Sequence, residues 1–333
     1  MIGASHEPPK MHTMMSRPIA LFAALFAILL ATAAAHAQTD YPSRVVRIIN
    51  PYVAGSTTDV LARALAVGLS SRLGQQFVIE NRAGAGGALG AAAVARAEAD
   101  GYTLLFAPAL VLSVYPQARG ADTGYKPDAL EPICQTFTNA MALAVRPDSP
   151  IKTVGDLVAM AKQRPGALNY GHQGPLTIPH LAMEEFLQVA GISIADIPFR
   201  GEPLVITDLI GGQIHVASIV LGSAAGQNIR LIGVFAEARH PAFPNVPTVK
   251  EQGYDVSPAS FGGLLAPAAT PAGVIDKLAG ACAGAAKDAA YETVARRAAQ
   301  PADYYADADA FKERLTRDIE RKAAVLARVK PQP

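Results

Sequence analysis

Hydrophobic positions fall in two alternating patterns along the chain. Short β-branched or aromatic runs, RVVRIINPY, QFVIEN, YTLLFA and MALAVRP, are each followed by Ala/Leu-rich stretches with apolar residues at helical spacing. Strands that alternate with helices predict parallel sheets joined by crossover helices. Two Pro-rich joints interrupt the alternation: ALAVRPDSP at 142–150, and HPAFPNVPTVKEQGYDVSPAS at 240–260. Both read as passages between two lobes. The stretch DADAFKERLTRDIERKAAVLARV at 307–329 has the periodicity of an amphipathic helix.

The opening segment differs. Arg17 precedes the apolar run IALFAALFAILLATAAA, and Ala35-His36-Ala37 stands ahead of Gln38. A positive flank, an apolar core and an A-x-A site predict a signal peptide over 1–37, cleaved near Ala37, and hence a periplasmic protein. The leader is long, and Met11, Met14 and Met15 are alternative starts. With 17% charged residues, 50% hydrophobic residues and a net charge of +1, the chain is expected to be globular and offers no electrostatic case for nucleic acid.

Three strand-to-helix joints carry candidate chemistry. Ahead of PYVAGSTTDVLARAL, at 51–65, Val45, Val46, Ile48 and Ile49 predict a buried strand, and Gly55 turns the chain. Ser56 and Asp59 then fit the S-x-x-D capping pattern, with Val60, Leu61, Ala64 and Leu65 as the apolar face of the helix. A helix start leaves N–H groups unpaired and carries partial positive charge, which suits an anion. LNYGHQGPLTIPHLAMEEFL, at 168–187, repeats the logic with Thr177 as N-cap and Pro179 in the first turn. ENRAGAGGALGAAAVARA, at 80–97, has Leu89 where a dinucleotide fingerprint needs its third small residue, so tight helix packing is expected there.

No nucleophile elbow, P-loop, zinc-protease or C-x-x-C motif is present in the sequence. His180 and Glu184 share a helix face, but they lack a third ligand nearby, and no metal or cofactor is expected. His172 and His215 read as structural or pocket-lining. Nothing says whether Cys134 and Cys282 approach one another, and two buried thiols is the simpler expectation.

Taken in order, YPSRVVRIINPYVAGSTTDVLARAL, LGQQFVIENRAGAGGALGAAAVARAEADGYTLLF, KTVGDLVAMAKQRPGALNYG, IPFRG, DLIGGQIHV, FPNVPTVKEQGY and FGGLLAPAATPAGVIDKL span nearly all of the chain beyond residue 37. The series resembles the Bug-type receptors, the extracytoplasmic solute-binding proteins of tripartite tricarboxylate transporters. The resemblance implies an α/β flytrap of two lobes, each a mainly parallel sheet flanked by helices, with the ligand in the interlobe cleft. Lobe 1 would comprise 38–138 plus 253–333, and lobe 2 would comprise 139–252. It also implies a non-enzyme that acts as a monomer, captures a small organic carboxylate and delivers it to membrane permease subunits. A signalling role, or a drifted copy that binds weakly, stays open beside this.

The ligand-gripping loops of the resemblance map onto Tyr52, Gly55, Ser56, Thr57, Thr58 and Asp59, and onto Gly171, His172, Gln173, Gly174, Thr177 and His180. Ala107 and Ile219 follow two further strands. Asp59 would cap the loop and not touch the ligand, because carboxylates repel. The departures concern polarity. Ser56 replaces a second glycine, and GHQGPLTIPH replaces a loop usually rich in small hydroxyls. APALVLSVYP follows YTLLF where Gly, Thr and Ser are usual, and ASIVLGSAAGQNIR is apolar and short, with Ile219 where some relatives place an aspartate. An apolar or aromatic acid is therefore expected rather than citrate or a free amino acid. Arg200 and Glu202, in FRGEP, are expected to pair with each other.

Overall fold

The described residues form ten strands: β1 (Val46–Asn50), β2 (Phe77–Asn81), β3 (Thr103–Pro108), β4 (Leu130–Asn139), β5 (Met141–Val145), β6 (Asn169–His172), β7 (Ala195–Pro198), β8 (Val216–Val220), β9 (Arg230–Phe235) and β10 (Ser260–Pro267). The structure is a computed structural model, and it describes Gly3 and residues 41–326 apart from Ser257, Ala259 and Ala302. The signal peptide expected over 1–37 lies outside the described residues, Gly3 aside. The described residues from Arg44 to Leu326 form one unit.

Within that unit the strands make two five-stranded sheets, in the orders β2-β1-β3-β10-β4 and β7-β6-β8-β5-β9. The orders are equivalent. In each sheet the first three strands pair in parallel and the last two join antiparallel. The fold is therefore α/β with two lobes, but each sheet is mixed, with parallel pairing in one half only. The chain crosses between sheets at Ala140, which alone separates β4 from β5, and returns between Phe235 and Ser260. β10 runs antiparallel to its earlier neighbours β3 and β4, and β5 runs antiparallel to its later neighbours β8 and β9.

Helices flank both sheets: α1 (Thr57–Leu73), α2 (Ala88–Ala95), α3 (Leu110–Ser113), α4 (Tyr115–Arg119), α5 (Val154–Gln163), α6 (Ile178–Ala190), α7 (Glu202–Ile210), α8 (Ala272–Ala285), α9 (Ala289–Arg297) and α10 (Ala308–Leu326). The apolar face of α1 is Leu61, Ala62, Leu65, Ala66 and Leu69. Val45 and Val60, expected inside, are 44% and 43% exposed. Gly68 lets α1 lie against α8, since a Cβ there would meet the Ala285 Cβ at 2.7 Å. Gly90 does the same for α2 against Pro51, at 2.8 Å. Packing is thus the use of that small-residue stretch, in place of a dinucleotide site. No described helix is long and apolar enough to cross a membrane.

Cys134 on β4 and Cys282 on α8 form a disulfide across a Cα separation of 6.6 Å. This corrects the expectation of two thiols. The pair lies 148 residues apart in sequence, so only the return of the chain to the first sheet brings them together. Both are fully buried, and the bond ties helix to sheet where the chain closes its longest loop. Replacing both cysteines with alanine is expected to lower unfolding stability by about 2–5 kcal/mol, as measured by urea denaturation under non-reducing conditions. An unchanged midpoint would show that the bond adds nothing to the fold.

Candidate functional site

Strand β1 ends at Asn50 and helix α1 begins at Thr57, at the carboxyl edge of a strand flanked by parallel neighbours on both sides. Open α/β sheets bind ligands at such an edge, where connections leave in opposite directions. Four N–H groups at a helix start have no intrahelical acceptor. Here the Ser56 N–H donates to the Val53 carbonyl at 3.3 Å, and the Asp59 N–H donates to Ser56 Oγ at 3.3 Å. Those of Thr57 and Thr58 remain available to a ligand.

A polar network fixes this loop from behind. Asp59 Oδ2 accepts from the Gly55 N–H at 3.0 Å and from Arg63 Nε at 3.1 Å, while its Oδ1 accepts from Asn81 Nδ2 at 2.8 Å. Asn50 and Asn81 both donate to the Tyr52 carbonyl. Burial pushes the Asp59 carboxyl up, but the hydrogen bonds from Arg63, Gly55 and Asn81 outweigh it and hold the group below the ordinary aspartate value. Asp59 therefore stays an anion turned into its own loop. Gly55 needs its glycine, with φ at +81°.

The second loop, after β6, is shaped by histidines. The His172 ring is fully buried, stacks 4.4 Å from that of His180, and has Nδ1 2.9 Å from the Gly174 carbonyl oxygen. His180 Nδ1 accepts from the Leu176 N–H at 3.1 Å. Thr177 is the N-cap by backbone position, yet its hydroxyl donates to the Gly174 carbonyl at 2.7 Å and caps no helix N–H. Burial, aided by the neighbouring His180, pushes His172 down to about 4, and burial lowers His180 as well, so both rings are neutral near pH 7.

His172, His180 and Asp196 bring one ligand-capable atom each within 4.8 Å of one another, a cluster invisible in the sequence because Asp196 comes from β7. With Nδ1 accepting from Leu176, the neutral His180 ring carries its proton on Nε2. As arranged, that ring presents a donor and not a metal ligand. Glu184, which shares a helix face with His180, accepts from the Tyr170 hydroxyl at 2.6 Å.

Two cavities meet at the first loop. The smaller, about 10 Å³, is lined by Tyr52, Ser56, Thr57 and Thr58 from one lobe and by Gln173, Ile178 and Pro179 from the other. It has room for about one water. The larger, about 670 Å³, shares Ser56, Thr57 and Glu202 with it and is lined further by Gly55, by apolar Val60, Ile206 and Ile210, and by Thr207, Gln227 and Arg297. Among the expected positions, Tyr52, Gly55, Ser56, Thr57, Thr58 and Gln173 line these cavities. Asp59, Ala107, Gly171, His172, Gly174, Thr177, His180 and Ile219 do not line them. Ala107 and Ile219 are buried strand residues of β3 and β8.

Glu202 was expected to pair with Arg200, and the structure places it otherwise. As the first residue of α7 it is 2% exposed, and its Oε1 accepts from the Val220 N–H at 2.5 Å. Its Oε2 accepts from the Ser223 hydroxyl at 2.5 Å, and Ser223 Oγ lies 2.8 Å from Thr57 Oγ1. Since Ser223 spends its one proton on Glu202, Thr57 donates to Ser223. A chain of hydrogen bonds thus runs from the first lobe into the second. Burial raises the Glu202 carboxyl to about 7, against the opposing pull of the Ser223 and Val220 bonds. Sequence reading passed over Ser223, which sits in the short apolar loop after β8 and was the one hydroxyl that could have flagged it.

Residues 61–329 match the family described as tripartite tricarboxylate transporter family receptor. The chain is similar to the protein BugT of Bordetella pertussis, with 35% identity over 266 residues, 76% of this chain and 80% of that one. Among solved structures, the periplasmic binding protein BugD superposes with a TM-score of 0.80 at 27% identity, covering 86% of this chain and 98% of its own. An R. palustris protein, Rpa4515, described with adipate, gives 0.80 at 28% identity, over 88% and 100%.

Replacing Asp59 with alanine strips an acceptor from Gly55, Asn81 and Arg63, and is expected to cost about 1–3 kcal/mol at neutral pH. Because the folded carboxyl titrates below its unfolded value, its contribution is full above the ordinary carboxylate range and is lost as pH falls through the folded value. Urea unfolding should therefore show the two proteins converging in acid. A stability gap that persists unchanged in acid would contradict the assigned role of Asp59.

Proposed function

The chain belongs to the tripartite tricarboxylate transporter receptor family, and from that premise we propose that it captures a small organic acid in the periplasm and hands it to membrane permease subunits. It acts as a monomer and carries out no chemistry on the acid. The lobes divide at 138/139 and 252/253, and their closure buries the ligand.

The observation that carries this reading is the pair of N–H groups on Thr57 and Thr58, at the N-terminus of a 17-residue helix whose first turn lines both cavities, Thr57 the larger of about 670 Å³ and the smaller, Thr58 the smaller. Both groups favour a carboxylate, and the positive end of the helix dipole adds to their pull. The wall beyond them bears on the kind of acid. Val60, Ile206 and Ile210 offer contact to a hydrocarbon or ring, and among the described residues Arg297 is the one cation on the lining that could meet a further carboxylate. Each ligand oxygen left unpaired in such a wall costs about 1–3 kcal/mol. An aliphatic or aromatic acid therefore fits better than citrate. The adipate described with the R. palustris relative joins two carboxylates by a four-carbon hydrocarbon chain, which suits this wall if Arg297 meets the second carboxylate.

The test is a thermal-shift panel on purified residues 38–333, refolded to strip carried-over ligand. It spans citrate, C4-dicarboxylates, amino acids, adipate, and aliphatic and aromatic monocarboxylates. An acid at about 100 times its Kd stabilises by roughly 2.7 kcal/mol, a shift of several degrees for a chain of this size. Shifts are expected from the apolar acids and not from citrate. Tight citrate binding with no response to apolar acids would overturn the ligand class, and a flat panel would overturn capture of these acids.

A further inference from the structure

Glu202 is an odd residue to find on the wall of a carboxylate site. It lines both cavities beside Ser56 and Thr57, and one hydroxyl, that of Ser223, separates it from Thr57. No cation is paired with it among the described residues: its two oxygens are held by the Val220 N–H and the Ser223 hydroxyl. An ionised Glu202 would repel any anion seated on the Thr57 and Thr58 N–H groups across a poorly solvated gap.

We propose that Glu202 makes ligand capture proton-linked: an acid's carboxylate is held together with one proton, which Glu202 carries as its neutral carboxyl. The inference rests on the capture reading above and names its regulation. The balance is simple. The protein with ionised Glu202 takes up one ligand anion and one proton, and the site's net charge is unchanged by the event. Protonation leaves the lobe-to-lobe chain intact, because its direction reverses. The neutral Glu202 O–H donates to Ser223 Oγ, and Ser223 then donates to Thr57 Oγ1.

The groups around Glu202 do not duplicate this titration. Tyr52 lines the smaller cavity, and burial raises its phenol, so it stays neutral. Asp59, in the first turn of α1, is an anion turned away into its own loop. On α9, Arg297 contributes a guanidinium to the larger cavity, a fixed cation. Gln173 is the neighbour from the second loop. The Glu202 carboxyl itself, lifted by burial to about 7, changes charge in the range where an exported protein works.

The sign follows from linkage. Below about pH 7 Glu202 is already neutral and affinity is level. Above it, each pH unit removes a proton that binding must restore, and Kd weakens about tenfold per unit. The experiment is calorimetric titration of the purified protein with hexanoate and with benzoate from about pH 6 to about pH 9, a range over which both probes stay ionised. In the wild type, affinity is expected to be level at the acid end and to fall toward the alkaline end, with one proton taken up per ligand there.

Glu202→Gln mimics the neutral acid, with an amide donor for Ser223, and should hold the acid-end affinity across the whole range. Ser223→Ala removes a bond that favours the ionised form, so its fall should begin at higher pH. A wild-type affinity that does not change with pH overturns the proposal while leaving capture standing. So does a Glu202→Gln protein that keeps the wild-type slope. If neither probe binds either protein at any pH, the capture reading for these acids falls and the proton linkage falls with it.

Discussion

A helix cannot satisfy its own first N–H groups, and the design of this protein follows from where it puts that deficit. Helix α1 starts at Thr57, directly past the carboxyl edge of β1, so its unpaired donors open on the cavity between the lobes. Ser56 and Val53 satisfy two of the four and leave two adjacent donors. On the proposed reading, two adjacent N–H groups with a helix dipole behind them hold one carboxylate, and a site built from backbone recognises the charged head of an acid without regard to its tail. On the same reading, discrimination among acids is left to the wall, where Val60, Ile206 and Ile210 are apolar.

The polar side chains nearby serve to hold that backbone still. Asp59, Arg63, Asn81 and Asn50 hydrogen-bond to one another or to the loop carbonyl of Tyr52. The second loop uses different means to the same end, with His172 and His180 bonded to the backbone around Gly174 and Leu176. Leu176 takes a left-handed φ of +61°, a conformation that costs energy for a branched side chain and persists only when its surroundings fix it. The two loops are topologically equivalent, each following the second strand of an identically ordered sheet. Both line the smaller cavity.

Much of this was legible locally. The first loop could be read because strand, turn, S-x-x-D cap and helix lie within fifteen or so consecutive residues, and each step has a short-range cause. The Pro-rich joints pointed to two lobes and the strand-turn-helix pattern to the second loop, while the resemblance supplied their role in holding a ligand. What escaped depends on distant segments. Cys134 and Cys282 meet only because α8 returns to the first sheet, and Asp196 reaches His172 only through the pairing of β6 with β7. Glu202 was misjudged for a related reason. Its sequence neighbour Arg200 suggested a surface pair, but the start of α7 turns Glu202 inward toward Val220 and Ser223, which lie on and just past β8. Side-chain direction at a helix start depends on what packs beneath it, and no local pattern states that. Val60 erred the other way, since it belongs to the cavity wall and not to the core.

The central claim is that the N–H groups of Thr57 and Thr58 hold the ligand's carboxylate. Backbone-assigned amide NMR during titration with an apolar acid such as hexanoate reports on those two groups directly. The account requires the Thr57 and Thr58 amide protons to move downfield together, saturating with the same Kd as the bulk binding isotherm, as charge-assisted hydrogen bonds form. If the protein binds the acid while these two amides stay where they were and other signals shift, the carboxylate sits elsewhere and the account is wrong at its root.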